Sequence, residues 1–570
     1  MVRTLAAASL ALASMLLSAG PVLGAHSVTG FTVTAASTQA GASVNASSST
    51  SLSYANTTDD VKKTIGHFAP GLLANPEAVP HCPQALFLAD ACPADTRIGE
   101  AEGDIQVFPA PAVTEHGRIY NQELLADEGG RLGIILDTLP SKTFLTAPFY
   151  VRSNGDYGLD GILDNISRIA PGAQITRLAF TLYGQVNGRN YTRAPTSCSL
   201  HTSSGEAYAY DHPEPATGPT SSYTPTGCDK LPFGPGFTMS VGARGSNEFG
   251  SHPALSVTVT QQPGEAGILG NTVTLPTELT PNTAAFSAIC SMAQLAANAC
   301  PAGSQVGTTT ATSAFVANPL SGPVYLVQQA GSVLPALVAD LKGRVAVRIT
   351  IGTSIIGGKQ IKSTVTNVPD LPIGSFTLKL NGGSKGVLTA KSDLCYNSDS
   401  HSGFRLLRTP ITFTGQNGAN VSSSPRIEIE GCGPSVAASL RRAARSRPRF
   451  SAVVNRHPDE ENIKRAELEL PKTLSLVRQK VKRGLSGEAS AKLGRESFQV
   501  VGRRKLVVTN LPRAGVKSLV IRLSRGAVRA KRKLRRRVRR GSKPKLRFKL
   551  TTVDATGERF VTKSSLRPRR

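Results

Sequence analysis

Apolar and polar residues alternate in short runs along this chain, and one such run recurs. VTNVPDLPIGSFTLKLNGG, Val365 to Gly383, returns without a gap as VTNLPRAGVKSLVIRLSRG, Val508 to Gly526. A looser copy, DNISRIAPGAQITRLAFTLYG, spans Asp164 to Gly184. The second half of each copy has the period of two of a half-buried strand. Phe376, Leu378 and Leu380 share one face, Leu519, Ile521 and Leu523 take the same slots, and Leu178, Phe180 and Leu182 take them in the first copy. Lys379 and Arg522 are expected on the solvent side. Self-similarity of this kind marks a repeat protein. Short strands bounded by Gly, Pro and Asn, with no Trp, predict an all-β chain of tandem sandwich-like, immunoglobulin-like modules.

Further matches set the module limits. PALSVTVTQQPGEAGILGNTVTLPTEL (Pro253–Leu279) aligns without gaps to PRFSAVVNRHPDEENIKRAELELPKTL (Pro448–Leu474). GVLTAKSDLC from Gly386 matches GAVRAKRKLR from Gly526, which puts Arg535 where Cys395 stands. The expected organisation is a signal peptide at 1–24 and β modules at 25–230, 231–434 and 435–570. The third is reduced: it lacks the cysteine-bracketed insertion and the strands around it. The Ser/Ala-rich stretch Ala35–Ser53 and parts of Asp211–Thr226 have compositions that suit disorder.

Eight cysteines fall in the first two modules. Cys82 and Cys92 are ten apart, as are Cys290 and Cys300, in matching contexts that each run on to a Gly-x-[Ile/Val]-Tyr strand, at Gly117–Tyr120 and Gly322–Tyr325. Cys198 with Cys228 and Cys395 with Cys432 are the other local pairs. An even count in an exported chain predicts disulfides. No CxxC or Cys/His cluster offers zinc-ligand spacing.

Charge is distributed unevenly. Val436 to Arg570 holds 40 Lys+Arg against 9 Asp+Glu, leaving 25 against 29 for the rest of the chain. Its densest run, RAKRKLRRRVRR, contributes Arg529, Lys531, Arg532, Lys533, Arg535, Arg536, Arg537, Arg539 and Arg540, read as a polyanion-binding loop between strands. Such a patch attracts polyanions in a salt-dependent way. The N-terminus has the form of a secretory signal: Arg3, an apolar stretch from Leu5 to Leu17, and small residues before Ala25. Export excludes an intracellular nucleic-acid partner. The expected partners are an anionic envelope polymer or lipid surface, with extracellular DNA as a further polyanion. No later segment has the roughly 20 apolar residues of a spanning helix.

The search for chemistry finds no Gly-x-Ser-x-Gly elbow, His-Glu-x-x-His, P-loop or dinucleotide fingerprint, so no catalytic residue and no cofactor is expected. Asp156, Asp160 and Asp164 sit in a Gly-rich loop as calcium ligands do, but off the EF-hand spacing, and they read as a polar turn rather than a metal site. Tyr120, Tyr150 and Tyr325 are the available sugar-stacking residues. Leu511 to Gly515 resembles a sorting signal, but it lies inside the repeat motif, which argues against covalent wall anchoring.

The Cys-x9-Cys-Pro string, the Leu-Pro-x-x-Leu strand ends at Leu275 and Leu470, the VTNVPDLP turn and the closing Gly431-Cys432 together resemble those of exported tandem-repeat β-rich proteins of high-GC Gram-positive bacteria, a functionally uncharacterised group. The resemblance implies a secreted repeat protein and supplies no catalytic residue. The functional expectation is an exported, cell-envelope-associated structural or binding protein held by electrostatic contacts. The alternatives are a secreted hydrolase with its site on module loops and an extracellular sugar- or calcium-binding protein.

Overall fold

The computed structural model describes residues 26–138, 141–153, 155–168, 170, 172–397, 403–477, 497–523 and 526–569. The signal sequence lies outside the described residues. Contacts divide the chain into two compact units: the described residues up to Ala194 with Ser199–Pro225, and Pro195–Cys198 with everything from Thr226 onward. Pro195–Cys198 is held in the second unit by the Thr196 hydroxyl, which donates to Asp370 at 2.7 Å, and by the Cys198–Cys228 bridge. The second unit contains two separate hydrophobic cores, one drawn from Met239 to Cys432 and one from Val436 to Leu566. They belong to the second and third modules.

The first unit has ten main strands. They are β1 (His26–Ala35), β2 (Ala46–Tyr54), β3 (Val61–Phe68), β4 (Arg97–Val107), β5 (Val113–Asn121), β6 (Gly130–Leu136), β7 (Thr143–Val151), β8 (Leu159–Leu163), β9 (Ala173–Leu182) and β10 (His201–Ala209). They pair in the order β1-β2-β9-β4-β5-β6-β7-β8-β3-β10 within a twelve-stranded sheet that short edge strands complete. In the second module the main strands are β11 (Gly236–Gly242), β12 (Leu255–Thr260), β13 (Ile268–Thr274), β14 (Gln305–Ser313) and β15 (Val316–Val327). They continue with β16 (Ala336–Leu341), β17 (Val347–Ile356), β18 (Gln360–Val365), β19 (Ser375–Leu380) and β20 (Ile411–Gly415). Their order, β11-β12-β19-β14-β15-β16-β17-β18-β13-β20, reproduces that of the first unit strand for strand.

The third module has β21 (Ser435–Arg441), β22 (Arg449–Asn455), β23 (Ile463–Glu469), β24 (Phe498–Val501), β25 (Lys505–Val508), β26 (Ser518–Leu523), β27 (Leu546–Asp554) and β28 (Arg559–Leu566). It has no counterpart of β14, β15 and β16 among its described residues. Without them the sheet falls into two pieces, β21-β22-β26 and β24-β25-β23-β27-β28, as in an open sandwich. The disulfide-bearing insertion is therefore what joins two sheets into one in the first two modules.

Local chemistry explains the recurring motifs. Asn165, Asn367 and Asn510 all adopt left-handed backbone, with φ of 54°, 56° and 54°. Asn tolerates this conformation better than other residues with a Cβ, so the chain can turn sharply before the strand begins. Gly117 and Gly322 open the Gly-x-[Ile/Val]-Tyr strands because a Cβ there would lie 2.3 Å from the Ile135 carbonyl oxygen and 1.8 Å from that of Asp340. The cysteine loops each form a short helix, α1 (Gln84–Leu88) and α2 (Met292–Ala296). Ser291 and Gln294 close a capping box at the second. Asp90 and Asn298, both at φ 52°, end the two helices. The bridges Cys82–Cys92 and Cys290–Cys300 staple each loop, and Phe87 and Leu295 pin it to the sheet in a small satellite core. Cys395–Cys432 is the fourth bridge, and no cysteine is free.

Two expectations change. The Ser/Ala-rich stretch 35–53 is not disordered, because β2 pairs with β1 on one edge and β9 on the other. Backbone pairing does not need large side chains, so composition alone misjudged it. Tyr120 is buried and Tyr325 packs against the satellite core, so neither offers a stacking face.

In the repeat strand Leu378, Leu380, Leu519, Ile521 and Leu523 are buried while Lys379 and Arg522 are exposed. Leu519→Ala should therefore cost about 2–5 kcal/mol in urea denaturation, and Arg522→Ala less than about 0.5 kcal/mol. Equal losses for the two would mean that the face is misassigned.

Candidate polyanion-binding face

The basic run is not a loop. Val528–Ala530 pairs with Leu474–Leu476, and Arg532–Arg539 then forms an α-helix, α3. The reason is its two apolar residues. Leu534 and Val538 are four apart, fall on one helical face and are buried in the third core, which anchors a helix that its charges oppose. Gly541, with φ 84°, ends it.

Every basic residue of the run is solvent-exposed except Arg535, which is half-buried. Arg539 donates Nε to the Ala444 carbonyl at 3.2 Å. Among the described residues, no carboxylate pairs with Arg529, Lys531, Arg532, Lys533, Arg535, Arg536, Arg537 or Arg540. The helix is about 12 Å long, and like charges recur four apart along it, as at Arg532/Arg536 and Lys533/Arg537. Such pairs each destabilise a helix by about 0.2–0.5 kcal/mol. Cations at its N-terminus also oppose the helix dipole. Ion pairs do form elsewhere in the module: Arg465 and Lys505 reach Glu467 at 2.8 and 3.2 Å, and Arg504 reaches Glu469 at 2.7 Å.

The fold adds residues that the sequence reading did not assign. The 442–447 loop lies beside the helix, through the Arg539–Ala444 bond and the Ala530 amide on Ser446. It presents Arg442, Arg445 and Arg447 to solvent. Past the last strand the chain returns to the same loop, where the Ala443 amide donates to the Arg569 carbonyl at 3.3 Å. The loop's RRAARSRPR composition was the available signal.

In the acidic loop of the first unit an arginine lies between two of the carboxylates. Arg152 donates Nε to Asp156 at 2.8 Å and Nη1 to Asp160 at 2.6 Å, while His67 reaches Asp160 at 2.8 Å. The Arg152 hydrogen bond holds the Asp156 carboxyl below its usual range. Asp164 accepts the Asn165 amide and points elsewhere.

A second acidic group forms where the third module meets the second. Glu460, Asp554 and Glu558 bring carboxylate oxygens within 4.8 Å of one another. Partial burial, assisted by Glu558 and Asp554, raises Glu460 to about 7. Nearby, Arg426 bonds Asp459 at 2.5 Å, the Tyr396 hydroxyl donates to Gly433, and Phe404 meets the His457 ring edge-on at 4.7 Å. Burial holds His457 down at about 4. These residues come from separate stretches between Tyr396 and Glu558 and share no motif, so nothing in the chain announced them.

No protein-family model matches the chain, and no curated protein matches it. Among solved structures, Escherichia coli alpha-2-macroglobulin activated by porcine elastase is similar at 9% identity over 95% of this chain, with a TM-score of 0.18. The chain spans 44% of that protein's length. BcpA, the major pilin subunit of Bacillus cereus, is 8% identical over 83% of this chain and 92% of its own, with a TM-score of 0.17. The C-terminal domain of the Streptococcus agalactiae AgI/II polypeptide BspA is 8% identical over 58% of this chain and 99% of its own, with a TM-score of 0.23. At such scores these likenesses carry no functional argument.

The junction yields a pH test. Glu460 binds its proton more tightly folded than unfolded, so it lowers stability as pH rises from about 4.5 to about 7. His457, depressed in the fold, has the opposite effect and favours folding as pH rises from about 4 to about 6.5. Glu460→Gln removes only the first effect. It should unfold at higher urea than wild type at pH 8, with the difference vanishing near pH 4.

Proposed function

We propose that this chain is an exported structural or binding protein of the cell envelope, held at an anionic surface by the basic face of its third module. One observation carries the reading: α3 concentrates cations, and among the described residues no carboxylate pairs with Arg532, Lys533, Arg535, Arg536 or Arg537. Self-repulsion of this kind opposes folding, and an anionic polymer or lipid surface relieves it. The two disulfide-stapled modules suit an oxidising extracellular setting. In this reading they are the structural part, and the third module is the non-covalent anchor.

The helical form of the run dictates how to test it. Arg535 and Arg539 have packing or hydrogen-bonding roles, and Ser is a poorer helix former than Gln. The informative variant of the full chain is therefore Arg532→Gln, Lys533→Gln, Arg536→Gln, Arg537→Gln and Arg540→Gln together. Cosedimentation with purified wall polymer, anionic vesicles and DNA is measured from low to physiological salt. Wild type should bind at least one of them with steep salt dependence. At about 1 kcal/mol per cation near an anionic surface, the variant should lose about three orders of magnitude while its melting temperature holds. Salt-insensitive binding, or none to any of the three, sinks the proposal.

A further inference from the structure

The first two modules are hollow. In the second module a cavity of about 150 Å³ lies inside the folded sheet, and in the first unit one of about 120 Å³ occupies the same place. Strand register makes the walls equivalent: Ser48 corresponds to Val257, Leu163 to Val365, Phe180 to Leu378 and Leu182 to Leu380. All eight line the cavities. Side-chain sizes are redistributed between the copies, with Ser48 opposite Phe180 in one and Val257 opposite Leu378 in the other. The hollow persists through that change.

The third module is an internal control. Val257, Val365 and Leu378 correspond to Ala452, Val508 and Ile521 in the gapless alignments. Val365 and Leu378 are 8% and 6% accessible, whereas Ala452, Val508 and Ile521 are all 0%. Phe376 is half-buried and its counterpart Leu519 is fully enclosed. The difference holds at these positions, whereas Phe498, which stands where Ile351 does, is 9% accessible against 7%. An empty apolar void costs stability, and keeping two at the same site calls for an occupant.

The walls define that occupant. The first unit's cavity has no charged side chain in its lining but carries the hydroxyls of Ser47, Ser48, Thr50, Thr64, Tyr191 and Thr192 among its apolar residues. No charged side chain lines the second module's cavity either, and its only polar side chains are Asn271, Thr353 and Ser363. A sugar or an ion would be left without partners there. The cavity is also long. β12 lines it at Leu255, Val257 and Val259, and β19 at Phe376, Leu378 and Leu380, so it extends about 13 Å along the strands. We infer that the hollow of each of the first two modules is a binding site for a linear apolar chain, of the acyl class, with its polar end left outside.

The test uses the full chain and cis-parinaric acid, a fluorescent linear polyene acid. Titration should saturate at two molecules per chain. Val257→Phe should reduce this to one, Ser48→Phe should do the same for the other site, and the double variant should bind none. Palmitate should displace the probe, and butyrate should not. Circular dichroism checks the fold of each variant; where Phe disrupts it, Val257→Leu and Ser48→Leu give weaker binding instead. A second arm presents the polyene chain as a phospholipid in vesicles. Transfer from vesicles identifies a lipid-borne chain, and uptake from solution alone identifies a free acid. Absence of saturable uptake in both arms, a stoichiometry unchanged in folded filled variants, or displacement by butyrate as well as by palmitate overturns the inference.

Discussion

Backbone hydrogen bonding along the two edges of the repeat strand is the constraint on which each module's architecture depends. In the first two modules both edges are paired: β9 lies between β2 and β4, and β19 between β12 and β14. The second partner leads through two further strands into the other half of the module, so the sheet is continuous. Among the described residues of the third module β26 pairs with β22 alone, and the strands fall into two separate sheets.

Desolvation and charge act together in the third module. Its larger sheet neutralises cations with Glu467 and Glu469, which are close enough for ordinary surface pairing. The helix does not, and its stability rests on burying Leu534 and Val538. The same module meets the second through partly buried groups: His457 neutral against Phe404, Asp459 bonded to Arg426, and Glu460 crowded by two other carboxylates. One end of the module is thus tuned to a neighbouring module and another face is left charged toward solvent.

Much of the architecture was legible before any coordinates. Alternation at Phe376, Leu378 and Leu380 identified the strand and its buried face, because side chains of a strand point to opposite sides with a period of two. The gapless alignments located the equivalent strands, and the loss of the cysteine-bracketed insertion marked the third module as reduced. The Asn of VTNVP and the glycines of the Gly-x-[Ile/Val]-Tyr strands stood out because backbone conformation and close approach restrict residue type locally. All of these are short-range constraints, written in contiguous residues.

What depended on distant contacts could not be read that way. Leu534 and Val538 had helical spacing, but two apolar residues among nine cations form a helix only when a core is present to receive them. Asp156 and Asp160 read as a polar turn, but their pairing with Arg152 is a contact that spacing does not specify. Glu460, Asp554 and Glu558 converge from separate strands and turns, and the Arg442–Arg447 loop joins the basic face only through packing. The hollows are the clearest case. The chain by itself determined which side chains face inward, because periodicity is a property of consecutive residues. Whether those side chains meet or leave a space depends on the distance between sheet halves, which only the tertiary pairing of the inserted strands decides.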